Sequence, residues 1–410
     1  MSYVLSAGTV VTPDVVLSPG YVAVRDGLIT GVGEGAPPGK LPGTVIDLGA
    51  RIVAPGYFDV HIHGGDGAQV NGEDRADVMT SVERIARFHA RHGTTSMLAT
   101  TVSDSVERLR ETVEGVGEVV RAGGVRGGAT VRGVHLEGPW IARARMGAHH
   151  PDSLRPPDVA ELGSLMAASG GSIRMVTIAP ELRGSRELIE EATRAGIEVA
   201  IGHTDADFET TIGAIEAGAR HATHLFNAMA PPHHRRPGAV TALLLDDRVT
   251  LEVVADLEHV HPGVLALVAR CAPRRIVAVS DAVPAAGLEP GSYQIGHQEV
   301  SVEAGRVSLA NDPSTLAGSV LTMDAAVQNL VGVVGMPIDA ALAAASATPA
   351  WAAGCGGSGL GHLRADAPAD LVVLEPDLSV AVTIVAGNAV FDPQGCFGSI
   401  VVDGTSRAEG

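Results

Sequence analysis

PGYFDVHIHG, residues 55–64, runs from an apolar segment into two histidines, and the reading of the whole chain works outward from it. In a strand, residues i and i+2 point to the same face, so His61 and His63 project together from one rim. Two neutral imidazoles held in that way make half of a metal clamp. The pair alone is ambiguous, because H-x-H triplets also arise without a ligand. Counting this one (52–61), eight apolar runs recur, the others at 94–102, 131–137, 173–180, 197–203, 221–226, 251–256 and 275–281. They are rich in Val, Ile and Ala, as strands buried on both faces are. Helical stretches separate them at 73–92, 103–121, 156–169, 184–195, 207–218 and 262–271. Within 205–218, DADFETTIGAIEAG opens on acidic and capping residues and stops at a glycine. Eight strands alternating with helices predict an α/β chain folded as a (β/α)8 TIM-like barrel, with its chemistry at the carboxyl ends of the strands.

The chain has 410 residues, enough for one large barrel and a small accessory domain. Residues 3–50 and 368–405 each read as short strands broken by turns, among them YVLSAGTVV, GTVIDLG, ADLVVLEP and GSIVVDG. Neither group has enough strands to bury a face alone. Together they predict one small β-sandwich domain from 1–53 and 362–410, with the barrel over 54–361 between them.

A formal charge of −18 argues against a nucleic-acid surface, which needs clustered positive charge. Cys271, Cys355 and Cys396 are far apart and form no C-x-x-C, which excludes a thiolate metal motif and fits a reducing cytoplasm. No run approaches the ~18 apolar residues of a membrane span. A cytoplasmic enzyme with no membrane or nucleic-acid partner is expected.

The strand ends supply candidate ligands. His61 and His63 end the first strand, Glu137 the third (VHLEGPW), His203 the fifth (AIGHTDA), His224 the sixth (ATHLFNAM) and Asp281 the eighth (VAVSDAV). Singly, each has a structural explanation: a helix neighbour, a turn acid, a core histidine, a cap. All six in barrel register point to a metal site. Nitrogen and carboxylate donors without thiolate suit Zn2+, with Fe2+, Co2+ or Mn2+ as alternatives.

The pattern resembles the N-acetylglucosamine-6-phosphate deacetylases of the amidohydrolase superfamily along nearly the whole chain. The resemblance is carried by PGYFDVHIHGG (55–65), GVHLEGPW (133–140), GAHHP (147–151), GHTDA (202–206), THLFNAM (223–229), RRPG (235–238), SDAVPAAGL (280–288), TLAGSVLTM (315–323) and PADLVVLEP (368–376). It implies metal ligation by Glu137, His203 and His224. Some members lack the pair found here at His61 and His63 and bind one metal; with both histidines present, a second ion bridged by Glu137 is implied, giving one or two ions per subunit. A carbamylated lysine bridge, common in the superfamily, is excluded because the only lysine, Lys40, precedes the barrel. The resemblance also implies substrate contacts from Ala148, His149, Asn227, Ala228, Arg235, His259, Leu316, Ala317 and Gly318, and a homodimer.

The expected reaction is hydrolysis of the acetamide of N-acetylglucosamine 6-phosphate. Metal-bound hydroxide would be the nucleophile and Asp281 the general base and acid. In so acidic a chain the phosphate needs a local cation, and APPHHRRPG (230–238) supplies Arg235 and Arg236 beside His233 and His234. Two departures bear on sugar specificity: Leu257-Glu258 replaces a Gly-x pair between Asp256 and His259, and Arg236 stands where an acid is common. The galactosamine epimer as substrate and a catalytically silent sugar-phosphate binder are the alternatives.

Overall fold

The computed structural model describes residues 1–397 except Asp14 and Lys40, so the strand expected in GSIVVDG (398–404) lies outside the described residues. Eight parallel strands form one sheet in sequence order: β1 Tyr57–Ile62, β2 Thr94–Thr101, β3 Thr130–Glu137, β4 Ile173–Ile178, β5 Glu198–Ile201, β6 His221–Ala222, β7 Thr250–Val254 and β8 Ile276–Val279. The sheet closes at its carboxyl end, where Ile62 bridges Ala282 and the Asp281 N–H donates to the His61 carbonyl at 2.9 Å. The chain is therefore a TIM-like barrel, as the alternation predicts.

The helices lie where the sequence signals them. Arg75–Ala90 is capped by the Asp74 carboxylate, which accepts from the Asp77 N–H. Phe208–Ala217 is capped by Asp207 and stops at Gly218, whose φ of 130° suits glycine. Several elements have no counterpart in the expectations, among them the helices Met323–Gly332, Ile338–Ala344 and Ala347–Ala352. Gly238–Leu245 (GAVTALLL) is a helix, but apolar nearly throughout, so it shows no helical stripe. Four strands, Gly291–Ile295, Gln298–Glu303, Arg306–Leu309 and Asp312–Leu316, form an antiparallel sheet after β8. Its alternating Ile295, Val300, Val302, Val307 and Leu309 pack on Val102, Val283 and Ala317 at the barrel mouth.

Residues near both ends of the chain build two further sheets. One orders Leu28–Glu34, Gly20–Arg25, Ser2–Ala7 and Thr44–Asp47; the other contains Leu371–Leu374 beside Ile52–Pro55. Tyr3, Leu5, Val22 and Val24 of the first share a core with Val53, Leu371, Val373 and Val382 of the second. The single run expected at 52–61 is thus two strands in two sheets. Gly56 makes the break, where an added Cβ would fall 2.2 Å from the Thr95 side chain. No helix among the described residues is long and apolar enough to cross a membrane.

Asp59 sits fully buried at the β1–β8 seam and accepts from the backbone N–H groups of His61 (3.2 Å) and Ser280 (3.3 Å). Burial pushes its carboxyl up to about 7 against those hydrogen bonds. Asp59→Ala strands two buried N–H donors and should cost about 1–3 kcal/mol in chemical denaturation, whereas Asp59→Asn, which keeps an acceptor, should cost less.

Candidate metal centre and pocket

The six strand-end side chains meet at the carboxyl rim. The Glu137 carboxylate is their hub: Oε1 lies 2.9 Å from His224 Nε2, 3.0 Å from His203 Nε2 and 3.4 Å from His61 Nε2. Its Oε2 lies 3.2 Å from both His63 Nε2 and His149 Nε2. Asp281 Oδ1 stands 3.3 Å from His63 Nε2 and 3.6 Å from His61 Nε2. All seven side chains are buried. Three of them, His203, His224 and Asp281, follow their strands by two residues and hold φ values of 48°, 25° and 50°. Such left-handed backbone turns a side chain inward at a cost in local strain, a pattern common at functional sites.

The partners behind the rings fix their tautomers. The His61 Nδ1–H donates to Glu252 at 2.9 Å, that of His63 to the Thr100 carbonyl at 3.2 Å, and that of His203 to the Arg145 carbonyl at 2.7 Å. Each then turns an Nε2 lone pair into the cluster. His149 is opposite: its Nδ1 accepts from the Ser103 N–H at 3.0 Å, so its Nε2–H donates to Glu137. Burial pushes the His149 imidazole down to about 4, so it is neutral, and it serves as a donor and not a ligand.

These donors fit a divalent ion. His61 Nε2 faces His63 Nε2 at 3.1 Å, and His203 Nε2 faces His224 Nε2 at 3.1 Å. Lone pairs that close require a cation between or beside them, either protons or a metal. In the metal-free protein, protons answer. Burial alone would lower His63, but hydrogen bonds to Asp281 and Glu137 outweigh it and hold the imidazole up at about 8. His61 and His224 are likewise raised, against their burial, by the surrounding carboxylates. Burial works to raise Glu137 too, yet His61 and His203 hold it well below the usual range.

Above the cluster opens a pocket of about 480 Å³, a size suited to a small ligand. Ala148, His149, Asn227, Ala228, His259, Leu316 and Gly318 line it, whereas Ala317 is buried against the mouth sheet. His259 Nδ1 bonds Asp256 at 2.6 Å. Leu257 adopts φ 69°, the conformation a glycine would take, so the Asp256–His259 bond forms without the glycine. Arg235 is exposed, bonds His234 Nε2 at 2.7 Å, and is not among the pocket-lining residues; Arg236 is also exposed. The pocket's own arginines, Arg143 and Arg145, went unread in the sequence, as did Glu252 and Ser103. Arg145 pairs with Asp205 at 2.7 Å.

Because ligation displaces protons, Zn2+ binding to the metal-free protein should release protons at pH 7 and tighten as pH rises from 6 to 8, through the raised value of His63. Calorimetric titration in buffers of different ionisation enthalpy reads this directly; a binding enthalpy independent of buffer would contradict it.

Comparison with known proteins identifies the family. The amidohydrolase family model matches residues 52–390. The chain is 36% identical to the N-acetylgalactosamine-6-phosphate deacetylase of Escherichia coli O157:H7, over 93% of this chain and 97% of that protein. It is 39% identical to the N-acetylglucosamine-6-phosphate deacetylase of Bos taurus, over 84% of this chain and 85% of that one. A mutant Mycobacterium smegmatis N-acetyl-D-glucosamine-6-phosphate deacetylase, solved in complex with N-acetyl-D-glucosamine-6-phosphate, superposes with a TM-score of 0.87 at 37% identity, covering 95% of this chain and 99% of that one. The chain belongs to the amidohydrolase family.

Proposed function

We propose that this enzyme hydrolyses the acetamide of N-acetylglucosamine 6-phosphate to glucosamine 6-phosphate and acetate, in amino-sugar recycling. The observation that carries the reading is the convergence of Glu137, His203, His224, His61, His63 and Asp281 beneath one pocket. Relatives named for this reaction, and one solved with this sugar phosphate, support the substrate.

Glu137, His203 and His224 would hold one ion, and His61 and His63, with Glu137 between, a second; Zn2+ suits this nitrogen and oxygen set. Bound there, the metal supplies acidification of a water and polarisation of the acetamide oxygen. Asp281 does the proton work. Burial would raise its carboxyl, but His61, His63 and His224 outweigh burial and bring it to about 2, so it is ionised at neutral pH. It takes a proton from the attacking water and delivers it to the departing amine nitrogen as the C–N bond breaks. Its main chain is clamped on both sides, the N–H to the His61 carbonyl and the carbonyl to the Ser319 N–H at 2.8 Å, which fixes where the carboxylate stands. His149 holds its Nε2–H at the edge of the cluster, and Asp256 fixes His259 in the pocket wall, where it would meet the sugar.

Arg235 is our candidate for the phosphate. It is exposed outside its own pocket, so it would serve the site of a second subunit in a homodimer. We place the enzyme in the cytoplasm, where free cysteines such as Cys271 remain reduced.

The 36% identical relative named for the galactosamine epimer favours a second reading with the same metal and phosphate groups. Acetate release measured as kcat/KM on both epimers decides between them: the gluco epimer should be preferred, and a galacto preference would replace it. No acetate from either epimer with metal loaded would sink the enzymatic reading altogether. Asp281→Asn should keep its metal content and lose about 10²–10⁴-fold in kcat; an unchanged kcat removes Asp281 from its role. Arg235→Ala should raise KM about 10- to 100-fold, the equivalent of a lost charge-assisted hydrogen bond, with little change in kcat.

A further inference from the structure

We propose that Glu252 is a positioning residue that ties the two metal positions together from behind. It rests on the two-ion reading above and adds a residue that touches neither substrate nor metal.

Glu252 lies in the middle of β7 (TLEVV) and is fully buried. A carboxylate there is costly unless N–H donors surround it. They do. Oε2 accepts from the His61 Nδ1–H at 2.9 Å and from the His224 backbone N–H at 2.9 Å. Oε1 accepts from the His221 Nε2–H at 2.9 Å, and His221 is held in turn by Thr250 Oγ1 at 2.6 Å. One oxygen atom therefore touches a ligand of each metal position.

The two contacts do different work. On His61 the carboxylate keeps the proton on Nδ1 and makes Nε2 a better donor to a cation. On His224 it holds the main chain, where φ is 25° and the ring must turn towards Glu137. Among the described residues, His224 Nδ1 has no hydrogen-bond partner, so this ring lacks the rear anchor that His61, His63 and His203 possess. The backbone bond to Glu252 takes its place.

Glu252 could itself be grouped with His61 and His135 as a ligand set. The hydrogen bonds exclude that. Both carboxylate oxygens are taken by N–H donors, and both His135 nitrogens are engaged, Nδ1–H donating to the Val60 carbonyl at 3.0 Å and Nε2 accepting from Thr177 Oγ1 at 2.8 Å.

The test is Zn2+ titration of the metal-free, full-length enzyme against a competing chelator, for wild type, Glu252→Gln and His61→Gln. Wild type should take up two ions and His61→Gln one. Glu252→Gln, with one acceptor oxygen in place of two and no charge, should weaken the His61/His63 position about 10- to 100-fold and the His224 position to a smaller degree. Wild-type affinity at both positions in Glu252→Gln overturns the proposal while leaving the two-ion reading intact. A wild type that takes up a single ion, or a His61→Gln variant that loses none, overturns the two-ion reading and the linkage with it. The spectroscopic readout is the shifted, exchangeable Nδ1–H resonance of His61 in Co2+-loaded protein. It should exchange slowly with D2O in wild type, vanish in His61→Gln and move in Glu252→Gln. Fast exchange in wild type overturns the proposal without requiring any variant to fold.

Discussion

Glu137 is a carboxylate with almost no access to water, set among five imidazoles, and the rest of the site follows from that burial. An anion there must be surrounded by donors or cations. His61, His63, His203 and His224 can meet that need only by holding protons or a metal, because their Nε2 atoms crowd one another at 3.1 Å. His149 alone meets it as a neutral donor, since its other nitrogen is committed to Ser103. One set of distances thus separates four candidate ligand histidines from one that serves as a donor.

The barrel makes this crowding affordable by spreading it over separate strands. His61 stands on β1, Glu137 ends β3, and His203, His224 and Asp281 follow β5, β6 and β8. Each left-handed residue just past a strand is strained locally, yet neighbouring strands hold it in place. The seam at Asp59 and the Ile62–Ala282 bridge close the ring at the level of His61 and Asp281. Above it, the antiparallel sheet of 291–316 contributes Ile295, Ser314 and Thr315 to the pocket wall.

Much of this was legible in the sequence because the two relevant signals are local. Apolar runs of strand length mark the barrel, and ligands sit at or just beyond their ends, so His203 and Glu137 could be placed without knowing what they touch. Glu252 was not legible in the same way. It interrupts a strand that reads as buried, and only the fold brings His61, His221 and the His224 N–H around it. Gly238–Leu245 hid because a helix apolar on nearly every side has no stripe. The split at Gly56 hid because hydrophobicity continues across it while the partner sheet changes. Arg235 reads as a phosphate ligand from its charge, whereas the loop that carries it leaves it exposed and outside the pocket lining.

Anomalous diffraction from crystals of the metal-loaded enzyme, recorded at the absorption edge of Zn, tests the role of Glu137 most directly. Two ions should appear, one on His203 and His224 and one on His61 and His63, with the Glu137 carboxylate reaching both. An ion bound without Glu137, or no ion among these residues, would contradict the account.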